Sequence, residues 1–109
     1  MTSSAEQNLA SLGITLPEAP SPAANYVPYV IVGDMVYVSG QVPFMNGGLQ
    51  VTGKVGDTVT IEQAAGEARI CAINLIAQLK AACGGDLSRV VQVVKLGGFV
   101  ACTADFTDQ

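Results

Sequence analysis

Gly33-Asp34-Met35-Val36-Tyr37-Val38-Ser39-Gly40-Gln41-Val42-Pro43 is the stretch on which the fold turns. The turn pair Gly33-Asp34 is preceded by Tyr29-Val30-Ile31-Val32 and followed by Met35-Val36-Tyr37-Val38. Both flanking runs are β-branched or aromatic, so residues 29–38 read as a hairpin. The second strand is expected to continue through Ser39-Gly40-Gln41-Val42 to Pro43. Asn46-Gly47-Gly48 then marks another turn before residues 49–52, which gives a third, weaker strand.

Downstream, Thr60-Ile61-Glu62-Gln63 is a capping box, followed by apolar residues at Ala64, Ala65, Ala68, Ala72, Leu75, Ile76, Leu79 and Cys83. This predicts one long helix, closed by Gly84-Gly85. Ile70, Ile73 and Ala77 widen its apolar face, as expected of a helix that packs on a sheet and against a neighbouring helix. Glu62 and Glu67 are expected on its solvated side. Residues 90–101, Val-Val-Gln-Val-Val-Lys-Leu-Gly-Gly-Phe-Val-Ala, read as a strand apolar on both faces, with a bulge or close backbone approach at Gly97-Gly98. One face should meet the helix; a partner's sheet is the simplest cover for the other. Asp105 and Asp108 stand where the N-cap and first turn of another helix would be. A helix start with no helix behind it leads to the expectation that the sequence is a fragment or truncated form of a longer polypeptide.

Upstream, Ser4 and Gln7 form a capping box for a short helix striped by Leu9 and Leu12 and ended by Gly13. Pro17-Glu18-Ala19-Pro20-Ser21-Pro22 cannot continue that helix and should run extended toward Tyr26. Residues 1–24 are therefore an accessory helix and connector, and 25–109 the core of a single domain.

A chain of 109 residues that is 50% hydrophobic is more apolar than a monomer of this size needs for its core. Five basic against nine acidic residues give a net charge of −4. Without a basic stripe the chain lacks the footprint of phosphate-backbone binding, so neither nucleic acid nor an anionic membrane is an expected partner. The N-terminus lacks the basic and apolar regions of a secretory signal, and no apolar run has the length of a membrane span. Cys71, Cys83 and Cys102 form an odd set with no C-x-x-C pair, which disfavours a disulfide framework and a zinc site. They read as reduced thiols of a cytoplasmic protein, with Cys71 and Cys83 as small apolar residues on a buried helix face.

Asn25-Tyr26-Val27, the Gly33-Asp34 turn and the Ser39-Gly40-Gln41-Val42-Pro43 run resemble the Rid (RidA/YjgF) family of imine/enamine deaminases, also called the L-PSP endoribonuclease family. The similarity continues through the Ala-rich helix, Gly84-Gly85 and Val93-Val94-Lys95 to Phe99-Val100, covering nearly everything after Pro22. Asn25 stands where many members have proline, the turn from Gly84 to Val93 is longer, and the N-terminal helix is an addition, all marks of a divergent subgroup. The resemblance implies an α+β, chorismate-mutase-like/ferredoxin-like fold with an antiparallel-rich sheet packed against helices. The asparagine, carboxylate-gripping arginine and late glutamate of the family map to no residue of this sequence; the asparagine position falls just past Gln109.

The activity implied is hydrolysis of short 2-imino or enamine acids to 2-keto acids and ammonia, without a cofactor or metal, in a homotrimer with pockets between subunits. Imines are already electrophilic, so a site need only fix the carboxylate, supply hydrogen bonds and position water; a sequence without histidine fits that chemistry. By resemblance Tyr26 lines the pocket, and Ser39 with the Gly40 backbone holds substrate near the strand end. The bland alternatives are an interface aromatic for Tyr26 and a strand-end hydroxyl bonding nearby backbone for Ser39. Two rival functions are a non-catalytic small-ligand-binding or regulatory protein of the same fold and an endoribonuclease or translation inhibitor, the latter disfavoured by the acidic balance.

Overall fold

The computed structural model describes residues 4–19, 25–46 and 48–109. Its elements are helix α1 (Ser4–Ser11), strands β1 (Tyr29–Val32), β2 (Met35–Val38), β3 (Phe44–Met45) and β4 (Gly48–Leu49), helix α2 (Ile61–Ala82), and a 3-10 turn at Leu87–Arg89. The class is α+β: each small sheet is antiparallel, and α2 packs against β1, β2 and β3.

The hairpin forms where its sequence requires. Gly33 adopts φ +58°, the left-handed value that a tight turn reserves for glycine, and Tyr29↔Val38, Val30↔Tyr37, Ile31↔Val36 and Val32↔Met35 face one another across the strands. Opposed residues share a sheet face, so Tyr29, Ile31, Val36 and Val38 lie on one side and Val30, Val32, Met35 and Tyr37 on the other. The first set holds the half-buried Tyr29, Val36 and Val38, under α2; the second is exposed throughout. The strand ends at Val38 rather than reaching Pro43. One further backbone bond, from Ser39 N–H to the Pro28 carbonyl (2.9 Å), extends the ladder. The third strand is correspondingly short, a β3–β4 pair around Asn46 at φ +54°.

Helix α2 starts on the predicted capping box. Thr60 Oγ1 accepts from Gln63 N–H (3.1 Å) and Gln63 Oε1 from Thr60 N–H (2.9 Å). It ends in a Schellman arrangement, with Gly85 N–H on the Lys80 carbonyl (2.8 Å) and Gly84 N–H on the Ala81 carbonyl (3.1 Å), both glycines at positive φ. Its buried face differs from the expected stripe. The buried helix residues are Asn74, Ala77 and Gln78, while Ile61 is exposed. Glu67 also departs from the expected solvated side: it is half-buried, and its Oε2 is buried with no hydrogen-bond partner. Residues 67, 71, 74 and 78 are spaced by three and four, so they share one side of α2.

Helix α1 lies across the C-terminal half of α2. Leu9 and Leu12 line an apolar cavity of about 200 Å³ with Ile76, Leu79, Leu87 and Val90, and Glu6 pairs with Lys80 (3.1 Å). Ser4 is the first helical residue rather than the cap, and Gly13 closes the helix at φ +69°. The position before Ser4 and residues 20–24 of the proline-rich connector lie outside the described residues.

Two expectations for the C-terminal third are corrected. Residues 91–100 form no strand: all are exposed, with Val91 at 97% and Phe99 fully so. A strand needs a backbone neighbour, and among the described residues none hydrogen-bonds to the 91–100 backbone. The ladder resumes just beyond, where Val55 N–H donates to the Ala101 carbonyl (2.9 Å) and Thr103 N–H to the Val55 carbonyl (3.0 Å). Nor does a helix start at Asp105. The chain makes one turn there, with Phe106 N–H on the Thr103 carbonyl (3.2 Å), and continues as coil.

Candidate functional site

The hairpin register brings the two ends of the predicted motif together. Because Tyr29 faces Val38, residues just before β1 meet residues just after β2, and Tyr26, Ser39 and Gly40 converge at that strand end. The Tyr26 hydroxyl lies 3.5 Å from the Gly40 carbonyl, at the limit of a hydrogen bond, and the ring is 41% exposed. Its one proton is engaged in that long contact, which leaves the oxygen open to accept from a ligand. Ser39 Oγ donates to the Val27 carbonyl at 2.5 Å, so part of its role is the structural one that sequence reasoning set beside ligand binding.

The segment behind these residues is held from two sides. Gln41 Nε2 donates to the Ser39 carbonyl (2.9 Å), and Asn74 Nδ2 donates from α2 to the carbonyls of Val42 (3.3 Å) and Phe44 (3.1 Å). Asn74 is 3% exposed, so both bonds are sheltered from competing water. Sequence reasoning missed Asn74 and Gln41 as supports of the site. The available signal was an amide between Ile73 and Leu75, where a helix facing a sheet would otherwise carry a hydrocarbon.

The thiols do not belong to this arrangement. Cys83 is buried at the C-cap of α2, and Cys71 is half-buried, its pKa pushed up first by burial and then by the negative charge of Glu67 one turn away. A raised thiol is a poor nucleophile at neutral pH, consistent with the packing role expected of Cys71. Asp86 is held below the usual carboxylate range by Ser88, whose side-chain hydroxyl (2.6 Å) and backbone N–H (3.0 Å) both donate to it, and it caps the 3-10 turn. Among the described residues no helix is long and apolar enough to cross a membrane.

Comparison with known proteins places this geometry in a family. Residues 6–107 match the family model described as "YjgF/chorismate_mutase-like, putative endoribonuclease". Protein TCP17 of Trypanosoma cruzi is 46% identical over 102 residues, which are 94% of this chain and 63% of TCP17. Among solved structures, the protein Atu1372 of Agrobacterium tumefaciens, of unknown function, superposes with a TM-score of 0.84 at 47% identity, covering 95% of this chain and 62% of that one. A protein from Shewanella oneidensis MR-1 described as a "putative endoribonuclease" superposes with a TM-score of 0.71 at 42% identity, over 77% of this chain and 55% of that one. The chain thus spans less than two thirds of the length of each of these relatives. The match over 6–107, together with the hairpin, long helix and Ser-Gly-Gln-Val-Pro strand end, establishes that this chain belongs to the YjgF/chorismate mutase-like family.

Proposed function

We propose that this protein contributes to the hydrolysis of short 2-imino or enamine acids to 2-keto acids and ammonia, at pockets formed between the subunits of a homotrimer in the cytoplasm. The observation that carries the reading is the convergence of Tyr26, Ser39 and Gly40 at one strand end, with the exposed Tyr26 hydroxyl held only by a long contact to the Gly40 carbonyl. Such a site offers hydrogen bonds and a place for water, sufficient for an electrophile as reactive as an imine. The assembly is supported by the uncovered hairpin face of Val30, Val32, Met35 and Tyr37, a continuous apolar surface of the kind subunits cover.

The reaction adds water across the C=N carbon, and the resulting carbinolamine expels ammonia to leave the 2-keto acid. Tyr26 is the hydroxyl placed to contact ligand or water, and Ser39 and Gly40 form the adjoining wall. Generating an imino acid in situ and following keto-acid release tests the reading. Release faster with protein than without is expected; equal rates would refute it.

The names carried by the family and by the Shewanella relative favour endoribonuclease activity as the second reading. A net charge of −4 and the lack of histidine weigh against it. Cleavage of single-stranded RNA at physiological salt would reverse that ranking.

A further inference from the structure

We infer that the apolar cavity between α1, α2 and the turn at Leu87–Arg89 binds one small neutral hydrocarbon-like molecule of about benzene's size, and that filling it fastens α1 to α2. The cavity is separate from the strand end where Tyr26 and Ser39 meet. Leu9 and Leu12 supply its wall on α1, Ile76 and Leu79 its wall on α2, and Leu87 lines a third side, around a space of about 200 Å³. Leu87 is 4% exposed and Leu12 68%, so the cavity is closed toward the core and reached from solvent past Leu12. Water is a poor occupant, because a buried water needs about two to four polar partners. Among the lining residues only Asn8 is polar, and it is exposed.

Charge selects the occupant. No lining residue is ionisable, and the charges that flank the cavity, Glu6 next to Ala5 and Lys80 next to Leu79, neutralise each other across 3.1 Å. A carboxylate entering this space would lose its hydration with no cation to replace it, which excludes the imino and keto acids proposed for the strand end. A neutral ring or branched aliphatic group loses nothing of the kind and removes apolar surface from water. An apolar space of about 150 Å³ is enough to hold benzene. Occupancy is coupled to α1 for a further reason. That helix buries no residue of its own and is held against the 3-10 turn and by the Glu6–Lys80 pair. A molecule that touches both Leu9 and Leu79 therefore adds contacts that only the docked helix offers.

The experiment titrates benzene and benzoate separately into the 109-residue chain and follows its methyl groups and amides by NMR. Nuclear Overhauser contacts from benzene to the methyls of Leu9, Ile76 and Leu79 are expected, and none from benzoate. The Leu12 and Ile14 amides close α1 on the carbonyls of Asn8 (3.1 Å) and Leu9 (2.9 Å). With benzene at about ten times its Kd their hydrogen exchange should slow about tenfold, because the undocked helix has no site to fill. Ala5→Phe puts a ring of its own into the cavity and should abolish the benzene contacts at an unchanged far-UV spectrum. Absence of benzene binding, contacts confined to the exposed hairpin face, contacts that persist in a folded Ala5→Phe, or benzoate bound as tightly as benzene would overturn the site. Exchange unchanged under saturating benzene would overturn the coupling to α1. Should Ala5→Phe not fold, the contrast between benzene and benzoate on the wild type decides alone.

Discussion

Cys71 shows how a single position on α2 reports the environment between helix and sheet. Its thiol is pushed up by burial and by the charge of Glu67, whose Oε2 is itself buried without a hydrogen-bond partner. Because the folded-state pKa lies above the ordinary value, the stabilising contribution of the neutral thiol is complete below that ordinary pKa. It is lost as pH rises through the raised one. Labelling with iodoacetamide between those two values, mapped by mass spectrometry, should therefore be slower at Cys71 in the folded chain than in urea. Glu67→Gln, which removes the second cause, should bring the pKa back toward the ordinary value. Faster labelling of folded than of unfolded Cys71 would contradict the assignment. The meeting of Tyr26 and Ser39 at one strand end was legible in the sequence because a short hairpin joins them. Glu67 was not, since its helix position alone does not reveal that its Oε2 is buried.

At the scale of elements, what the sequence revealed depended on whether the forces were local. The Gly33-Asp34 turn, the Thr60–Gln63 box and the Gly84-Gly85 stop each act within a few residues, and each stands in the structure as its residues predict. The strand expected over 90–101 depends on a neighbour distant in sequence, and the β-branched composition that suggested it cannot supply one. The apolar phase of α2 was misjudged for a related reason. A hydrophobicity stripe assigns Asn74 to solvent, whereas the carbonyls of Val42 and Phe44 draw its amide into the interior. Asn74 is thus the tie between α2 and the segment that follows the candidate site. Asn74→Ala should cost about 2–3 kcal/mol, since it removes two buried hydrogen bonds and leaves their acceptors unsatisfied. A urea midpoint unchanged from wild type would show that the tie is dispensable.

For the whole molecule, the balance of covered and uncovered apolar surface is the leading physical fact. Among the described residues the buried hydrophobic ones are Val55, Val59, Ala77, Cys83 and Leu87, while Val30, Val32, Tyr37, Val91, Val94, Leu96 and Phe99 are exposed. Exposed apolar surface of that kind marks interaction sites, ligand grooves or aggregation-prone faces. Sedimentation of the 109-residue chain should show self-association that Tyr37→Lys shifts toward monomer with an unchanged far-UV spectrum. A concentration-independent wild-type monomer would count against pockets shared between subunits. The proposal of imine hydrolysis rests on family membership and on the strand end where Tyr26, Ser39 and Gly40 converge. The most direct test is the rate of 2-keto acid release from an imino acid generated in situ, with wild type, with Tyr26→Ala and without protein. Acceleration by the wild type is expected, with a loss of at least about tenfold in Tyr26→Ala at unchanged thermal stability. No acceleration by the wild type, or full activity in Tyr26→Ala, would contradict it.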